Sequence, residues 1–282
     1  MPHLLIVSFL WAFSFGLTKG LTAGLDSSFV AAARLGLALL VFLPFLRVRG
    51  LSMGTRLMLV GIGAMQFGFM YLAYNESFRH LPAHEVALCT ITTPIFVTLL
   101  ADAFDRTIRW RALLAALLAV GGMGVVVFKS AALSGSLRGF ALVQLSNLAF
   151  ALGQVGYKRL RARQSTLRDR DIFALLYAGA FTLTLSVALI RTDLAAFTLT
   201  FTQFRTLLYL GVIASGLGFF LWNIGATRVN TGTLAVMNNL KIPLAVACSL
   251  LFFGESADPL RLLVSLGLLG VAVWLAEKKT GS

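Results

Sequence analysis

The sequence predicts an all-α membrane protein of ten transmembrane helices, arranged as two inverted five-helix repeats. Three observations carry that prediction. Apolar residues fill 58% of the 282 positions and charged residues only 12%, against about 45–50% and about 25% in soluble domains. The apolar residues fall in runs of about 20, enough for a helix to cross a hydrocarbon core about 30 Å thick. Positions separated by a constant 149 residues also carry the same special residues: Arg79 and Arg228, Pro94 and Pro243, Gly121 and Gly270.

Taken in order, the runs place spans at 4–22, 28–46, 57–78, 84–103 and 111–129, then at 139–157, 172–190, 206–225, 232–253 and 261–276. The first follows Met1-Pro2-His3, without the basic n-region of a cleaved signal, and is expected to be retained. The second carries the small-residue surface Ala31-Ala32-Ala33 and Leu35-Gly36, and the fifth carries Gly121-Gly122 and Gly124, both suited to close helix packing. Gly68-Phe69 in the third span matches Gly218-Phe219 in the eighth after a one-residue insertion, and Ala12-Phe13 with Gly16 resembles Ala149-Phe150 with Gly153. The longest polar interval, 158–171, is too short to hold a soluble domain. Each half, 1–131 and 137–278, contains an odd number of spans, so the two must insert with opposite orientations. Inverted repeats of this kind place a solute site near the midplane.

Loop charges set the expected orientation. With the amino terminus inside, Arg47, Arg49, Arg56, Arg106, Arg109, Arg111, the cations between 158 and 170, Arg228, Lys278 and Lys279 are all cytoplasmic. The outer loops hold only Arg79, Lys129, Arg138, Arg191, Arg205 and Arg261. The positive-inside rule then places both termini in the cytoplasm, here of a bacterial inner (plasma) membrane.

The net charge of +13 does not indicate nucleic acid, because no basic stripe with interleaved aromatics lies on a soluble segment. Cys89 and Cys248 lie singly inside apolar runs, outside any metal or disulfide pattern. His3, His80 and His84 sit at span ends, no acidic pair shares a midplane face, and no Walker motif occurs. The expected protein is therefore not an enzyme and uses no cofactor or metal. Its partners are the lipid bilayer and a small polar or anionic solute such as an amino acid, and a monomer satisfies the layout.

Three cations lie within the spans: Lys19, Arg34 and Lys241. A charge at such depth costs about 2.5–3.5 kcal/mol on insertion scales and usually faces a cavity. Lys241 lies roughly 14 Å along the ninth span at 1.5 Å per residue, in the polar cluster Asn238-Asn239-Leu240-Lys241. It either meets a solute or pairs with a helix carboxylate for assembly; its repeat counterpart is Thr92, so symmetry demands no cation here. Pro243 frees the carbonyl of Asn239 and Pro94 that of Thr90. Asn239, Thr90 and Thr92 are thus candidate contacts, with simple structural kinks at the two prolines as the alternative. Arg34 either binds a substrate carboxylate or forms a gate pair with Glu85 or Glu76, and Lys19 either binds solute or snorkels to the outer surface. Trp11, Asn147 (with Phe150 and Gln154 on its face), and Tyr74 beside Asn75 complete the candidate lining.

The first span, Leu10-Trp11-Ala12-Phe13-Ser14-Phe15-Gly16 leading to Lys19, resembles the opening helix of the drug/metabolite transporter superfamily, EamA-like branch. The family usually has Gly directly after that Trp, where this chain has Ala12. The proline-bearing fourth and ninth spans and Phe253-Gly254-Glu255 are similar to the family as well, whereas Asp102-Ala103-Phe104-Asp105 departs from it. The resemblance implies ten helices in two repeats and the export or exchange of amino acids and other metabolites. Together with the cations, it implies a secondary transporter of an amino acid or carboxylate working by alternating access. The alternatives are phosphorylated metabolites or nucleotide-sugar-like anions, whose carriers have an Asn/Lys helix that Asn-Asn-Leu-Lys-Ile-Pro loosely resembles, or a non-transporting scaffold.

Overall fold

Apolar runs without internal proline fold as helices in sequence order. In the computed structural model these are α1 (Pro2–Gly24), α2 (Ser27–Phe42), α3 (Met53–Ser77), α4 (Thr93–Asp105), α5 (Trp110–Val127), α6 (Leu137–Arg163), α7 (Asp169–Arg191), α8 (Phe201–Thr227), α9 (Thr231–Met237) and α10 (Pro259–Glu277). The structure describes residues 1–81, 85–86, 89–127, 136–193, 198–244 and 259–277. His84, Lys129, Cys248, Phe253-Gly254-Glu255, Lys278 and Lys279 lie outside the described residues. Among the described residues, α3, α6, α7, α8 and the stretch Ser27–Phe45 are long and apolar enough to cross a membrane. The pair Pro2–Ser14 and Gly16–Gly24 adds a sixth span if its 41° bend is counted as one crossing.

Two expected boundaries shift. The polar interval 158–171 is largely helical, because α6 runs on to Arg163 and α7 begins at Asp169. Arg161 and Arg163 in the last turn of α6 and Asp169 and Asp171 in the first turn of α7 each complement a helix dipole, which favours helix where polarity alone reads as loop. The ninth span is also not continuous. After α9, the amides of Asn238, Asn239 and Leu240 bond to carbonyls three residues back, and helix resumes at Lys241.

Helix α2 begins at Asp26, whose carboxylate accepts hydrogen bonds from the Ser28 and Phe29 amides at 3.0 and 3.1 Å. Burial alone would raise the Asp26 pKa. The bonds from the Ser28 hydroxyl, the Phe29 and Ser28 amides and the Thr192 hydroxyl outweigh it and hold the group below the usual carboxylate range. Its contribution is therefore present above the ordinary carboxylate pKa and lost as pH falls through the depressed one. Asp26→Ala is expected to cost about 1 kcal/mol, read as a lower unfolding temperature at pH 7 that converges with the unmodified protein in strong acid.

Glycines set the tightest crossing. A Cβ on Gly63 of α3 would run into the Leu176 carbonyl of α7, and a Cβ on Gly179 of α7 would run into the Val60 carbonyl of α3. The two backbones can meet only because both positions lack a side chain. Beyond this crossing the aromatic core stacks Phe67 on Phe219 at 4.4 Å and on Tyr177 at 5.5 Å, tying α3, α7 and α8 together. A second apolar cluster joins α5 to α10 through Ala115, Ala119, Leu269 and Ala272.

Both α3 and α8 widen into π-helical turns, at Ala64–Phe69 and Tyr209–Leu217. Such turns displace carbonyls from the regular ladder, and they recur at functional sites. In α8 the displaced groups find side-chain donors: Trp11 Nε1 donates to the Ala214 carbonyl at 2.9 Å, and the Tyr177 hydroxyl donates to the Ser215 and Gly216 carbonyls at 2.8 and 2.6 Å.

Candidate functional site

The π turn of α8 brings Ser215 opposite α1, α2 and α3, where a cavity of about 580 Å³ opens in the bundle. Trp11, Ser14 and Thr18 face it from α1, Arg34 from α2, and Met70, Tyr71 and Tyr74 from α3. Ser146, Asn147 and Phe150 of α6, Phe219 of α8, Thr90, Thr93 and Lys241 close it.

Arg34 is only 2% exposed. Its Nε donates to Ser215 Oγ at 3.1 Å and one terminal nitrogen to Thr18 Oγ1 at 3.1 Å; the other donates to the Tyr71 hydroxyl. The guanidinium carbon also lies 4.3 Å from the Tyr71 ring centroid. These partners are neutral, so they orient the cation without cancelling its charge. Across the cavity, Lys241 Nζ sits 5.5 Å from the centroid of Trp11. The indole itself is held by Trp222 at 4.9 Å, Phe219 at 5.3 Å and Phe150 at 5.9 Å. Among the described residues neither Arg34 nor Lys241 joins an ion pair; Asp102 and Asp105 pair with Arg109, Asp105 also with Arg159, Asp169 with Arg161, and Glu76 with Arg79 and Arg191. The chamber therefore offers two cations and an aromatic wall to whatever enters.

The structure brings together six of the residues singled out from the sequence: Trp11, Arg34, Tyr74, Thr90, Asn147 and Lys241. Thr92 stands behind them, accepting from Asn147 Nδ2 at 3.1 Å and bonding Gln144 at 2.6 Å, so that it positions the amide. Asn239 lies outside the lining, with its Nδ2 on the Ile91 carbonyl at 2.9 Å and its Oδ1 buried without a partner among the described residues. Asn238 bonds the Leu234 carbonyl at 2.8 Å and Gln154 at 3.4 Å. Lys19 donates to the Phe78 carbonyl at 2.7 Å, at the end of α3. Of the expected gate residues, Glu76 accepts from Ser27 Oγ at 2.7 Å and faces Arg191 at 3.4 Å instead of Arg34, and Glu85, 2% exposed, is not among the lining groups.

The proline-freed carbonyls find local donors. The carbonyl freed by Pro94 is taken up by the Thr93 amide and by Thr93 Oγ1 at 2.7 Å, and that freed by Pro243 by the Ile242 amide at 3.0 Å. Tight three-residue turns thus supply each freed carbonyl with a backbone donor.

Tyr71, Ser215, Thr18, Ser146 and Phe219 escaped the sequence reading as site residues. Tyr71 could have been found three residues before Tyr74 on the same helical face, and Phe219 through its match to Phe69. Ser215 has no sequence signal, because the π turn that aims it leaves no residue signature.

A buried arginine and a part-buried lysine on an aromatic chamber, inside a bundle whose described elements are all helical, suit a membrane protein that handles a small solute. The EamA-like transporter family matches residues 3–128 and the Triose-phosphate Transporter family residues 66–274. A protein named biotin transporter from Salmonella typhimurium strain LT2 is 38% identical over 280 residues, covering 99% of this chain and 93% of that one. A biotin transporter from Escherichia coli K12 is 41% identical over 252 residues, covering 89% and 84%. A solved crystal structure of a protein superposes with a TM-score of 0.76 over 98% of this chain and 96% of that one, at 15% identity, and shares the fold. The chain belongs to the drug/metabolite transporter superfamily. It is a small-metabolite transporter of the membrane, not an enzyme.

Proposed function

We propose that the chain carries biotin, with the carboxylate of its aliphatic tail held between Arg34 and Lys241 and its ring system against Trp11, Phe150 and Phe219. The observation that carries this reading is the pair of cations on one aromatic-lined cavity, unpaired with any described carboxylate. The names of the relatives from Salmonella and Escherichia supply the particular carboxylate. A free amino acid fits less well, since its ammonium group would face two cations with no described carboxylate to receive it. Asn147, Ser146 and Thr90 offer the neutral donors and acceptors that a cyclic urea needs.

The reading includes alternating access by two inverted five-helix repeats, 1–131 and 137–278, with both termini cytoplasmic in a bacterial inner membrane. Supporting it, the π turns at Ala64–Phe69 and Tyr209–Leu217 and the tight turns before Pro94 and Pro243 recur at nearly the same spacing as the repeated residues.

Proteoliposomes preloaded with unlabelled biotin should take up labelled biotin by saturable counterflow. Biotin methyl ester, lacking the charge, is expected to compete at least about 30-fold more weakly, the loss for one partner of a buried charge pair. Equal competition by the ester would sink the carboxylate assignment, and counterflow driven by a triose phosphate but not by biotin would redirect the reading to phosphorylated solutes.

A further inference from the structure

A second recess lies away from the solute chamber, between the first half of α3 and the last half of α6. Its free space, part of it open to the surroundings, is about 1,130 Å³. One wall is Met58, Ile62 and Met65, and the other is Leu152 and Leu160. Met58 and Met65 are 51% and 39% exposed, so the recess opens on the outer surface of the bundle, where lipid lies. Three glycines hollow it. A Cβ at Gly61 would meet nothing within 4 Å, and one at Gly156 would touch only Ile62 at 3.7 Å, whereas Gly153 lets α6 press against Gln66 and closes the apex. The other end is polar: Gln164 bonds Thr55 at 3.0 Å, and Arg159 and Arg163 stand one turn apart on α6.

The two arginines differ. Arg159 is neutralised by Asp105 and stacks its guanidinium 5.3 Å from the Phe104 ring. Arg163 is exposed and has no ion pair among the described residues, so it presents an unneutralised cation at the polar mouth of an apolar slot. Lys158 near the end of α6 and Arg168 at the start of α7 add positive charge at the same end of the bundle, whereas Arg161 and Arg170 are paired with Asp169 and Asp171.

We propose that this recess is a binding site for one anionic phospholipid, its phosphate on Arg163 and an acyl chain along the Met58–Ile62–Met65 wall. Charge complementarity selects this occupant. A basic pocket between helices at the membrane surface attracts anionic headgroups, at about 1 kcal/mol per cation, and the slot above it accepts hydrocarbon but offers nothing to a soluble anion. The site is independent of the solute assignment, because it shares no lining residue with the solute chamber.

The test is native mass spectrometry of the full-length protein after equilibration with mixed vesicles of equal phosphatidylglycerol and phosphatidylcholine. The unmodified protein is expected to retain phosphatidylglycerol over phosphatidylcholine by about five-fold. Arg163→Gln should bring the ratio close to one while leaving retention of phosphatidylcholine unchanged. Gly61→Leu, whose Cβ has nothing within 4 Å and which stands in the lining of the slot, should lower retention of both lipids with an unchanged unfolding temperature. No preference in the unmodified protein overturns the proposal. So does a preference that survives Arg163→Gln, or a retention of both lipids that survives Gly61→Leu, since the lipid would then sit elsewhere.

Discussion

Lys241→Ala is expected to weaken binding of an anionic solute by at least about 30-fold, the loss for truncating one member of a buried charge pair, with little change in stability. The asymmetry follows from the local contacts. Nζ lies over the Trp11 ring and joins no ion pair among the described residues, so its removal strands no internal carboxylate. What disappears is attraction for the solute. Arg34 behaves differently, because truncating it would leave Thr18, Tyr71 and Ser215 without the donor that binds all three. Titration of the purified protein with biotin, beside a thermal melt, separates the two cases. Unchanged affinity in Lys241→Ala would remove the ammonium group from the recognition scheme.

Gly179→Val should be the most damaging substitution in the scaffold. Its side chain would have to occupy the position of the Val60 carbonyl, while Gly63 on the opposing helix is blocked in the same way by the Leu176 carbonyl. Backbone meets backbone on both sides, so neither helix can yield by changing a rotamer. Overpacking a core ordinarily costs about 1–3 kcal/mol, and separating α3 from α7 would also disturb the stacking of Phe67 on Tyr177 and Phe219. The expected result is loss of the monodisperse species after detergent extraction. Gly156→Ala serves as the control, because its added carbon makes only ordinary contact with Ile62. A Gly179→Val protein that melts with the unmodified one would show that the crossing is looser than the structure has it.

The helical membrane class was legible because it rests on composition and run length, which need no knowledge of neighbours. The same holds for the intramembrane cations: depth alone marks Arg34 and Lys241, and both reach the chamber. Partners were another matter. Glu76 and Arg34 share an outer level in sequence, yet Glu76 turns to Ser27 and Arg191, a choice made by helix rotation that no spacing records. Lys19 caps the end of α3 rather than lining the chamber, since a flexible four-carbon stem can reach either. The π turns were invisible for a similar reason. In α8 the widened turn is met by tertiary donors, Trp11 and Tyr177, that lie far away in the chain and only arrive when the bundle closes.

The neutral surroundings of Arg34 bear on energetics across the cell envelope. In the proposed cycle, fixed positive charge stays with the chamber whichever way it opens, and shifting one elementary charge through the full field is worth about 2.3 kcal/mol per 100 mV. A monoanion on board cancels one unit of that charge, so the loaded and vacant carriers feel the membrane voltage differently. One-for-one swapping of monoanions should then move no net charge and generate no current under an imposed potassium diffusion potential, whereas unidirectional flux should be driven by it.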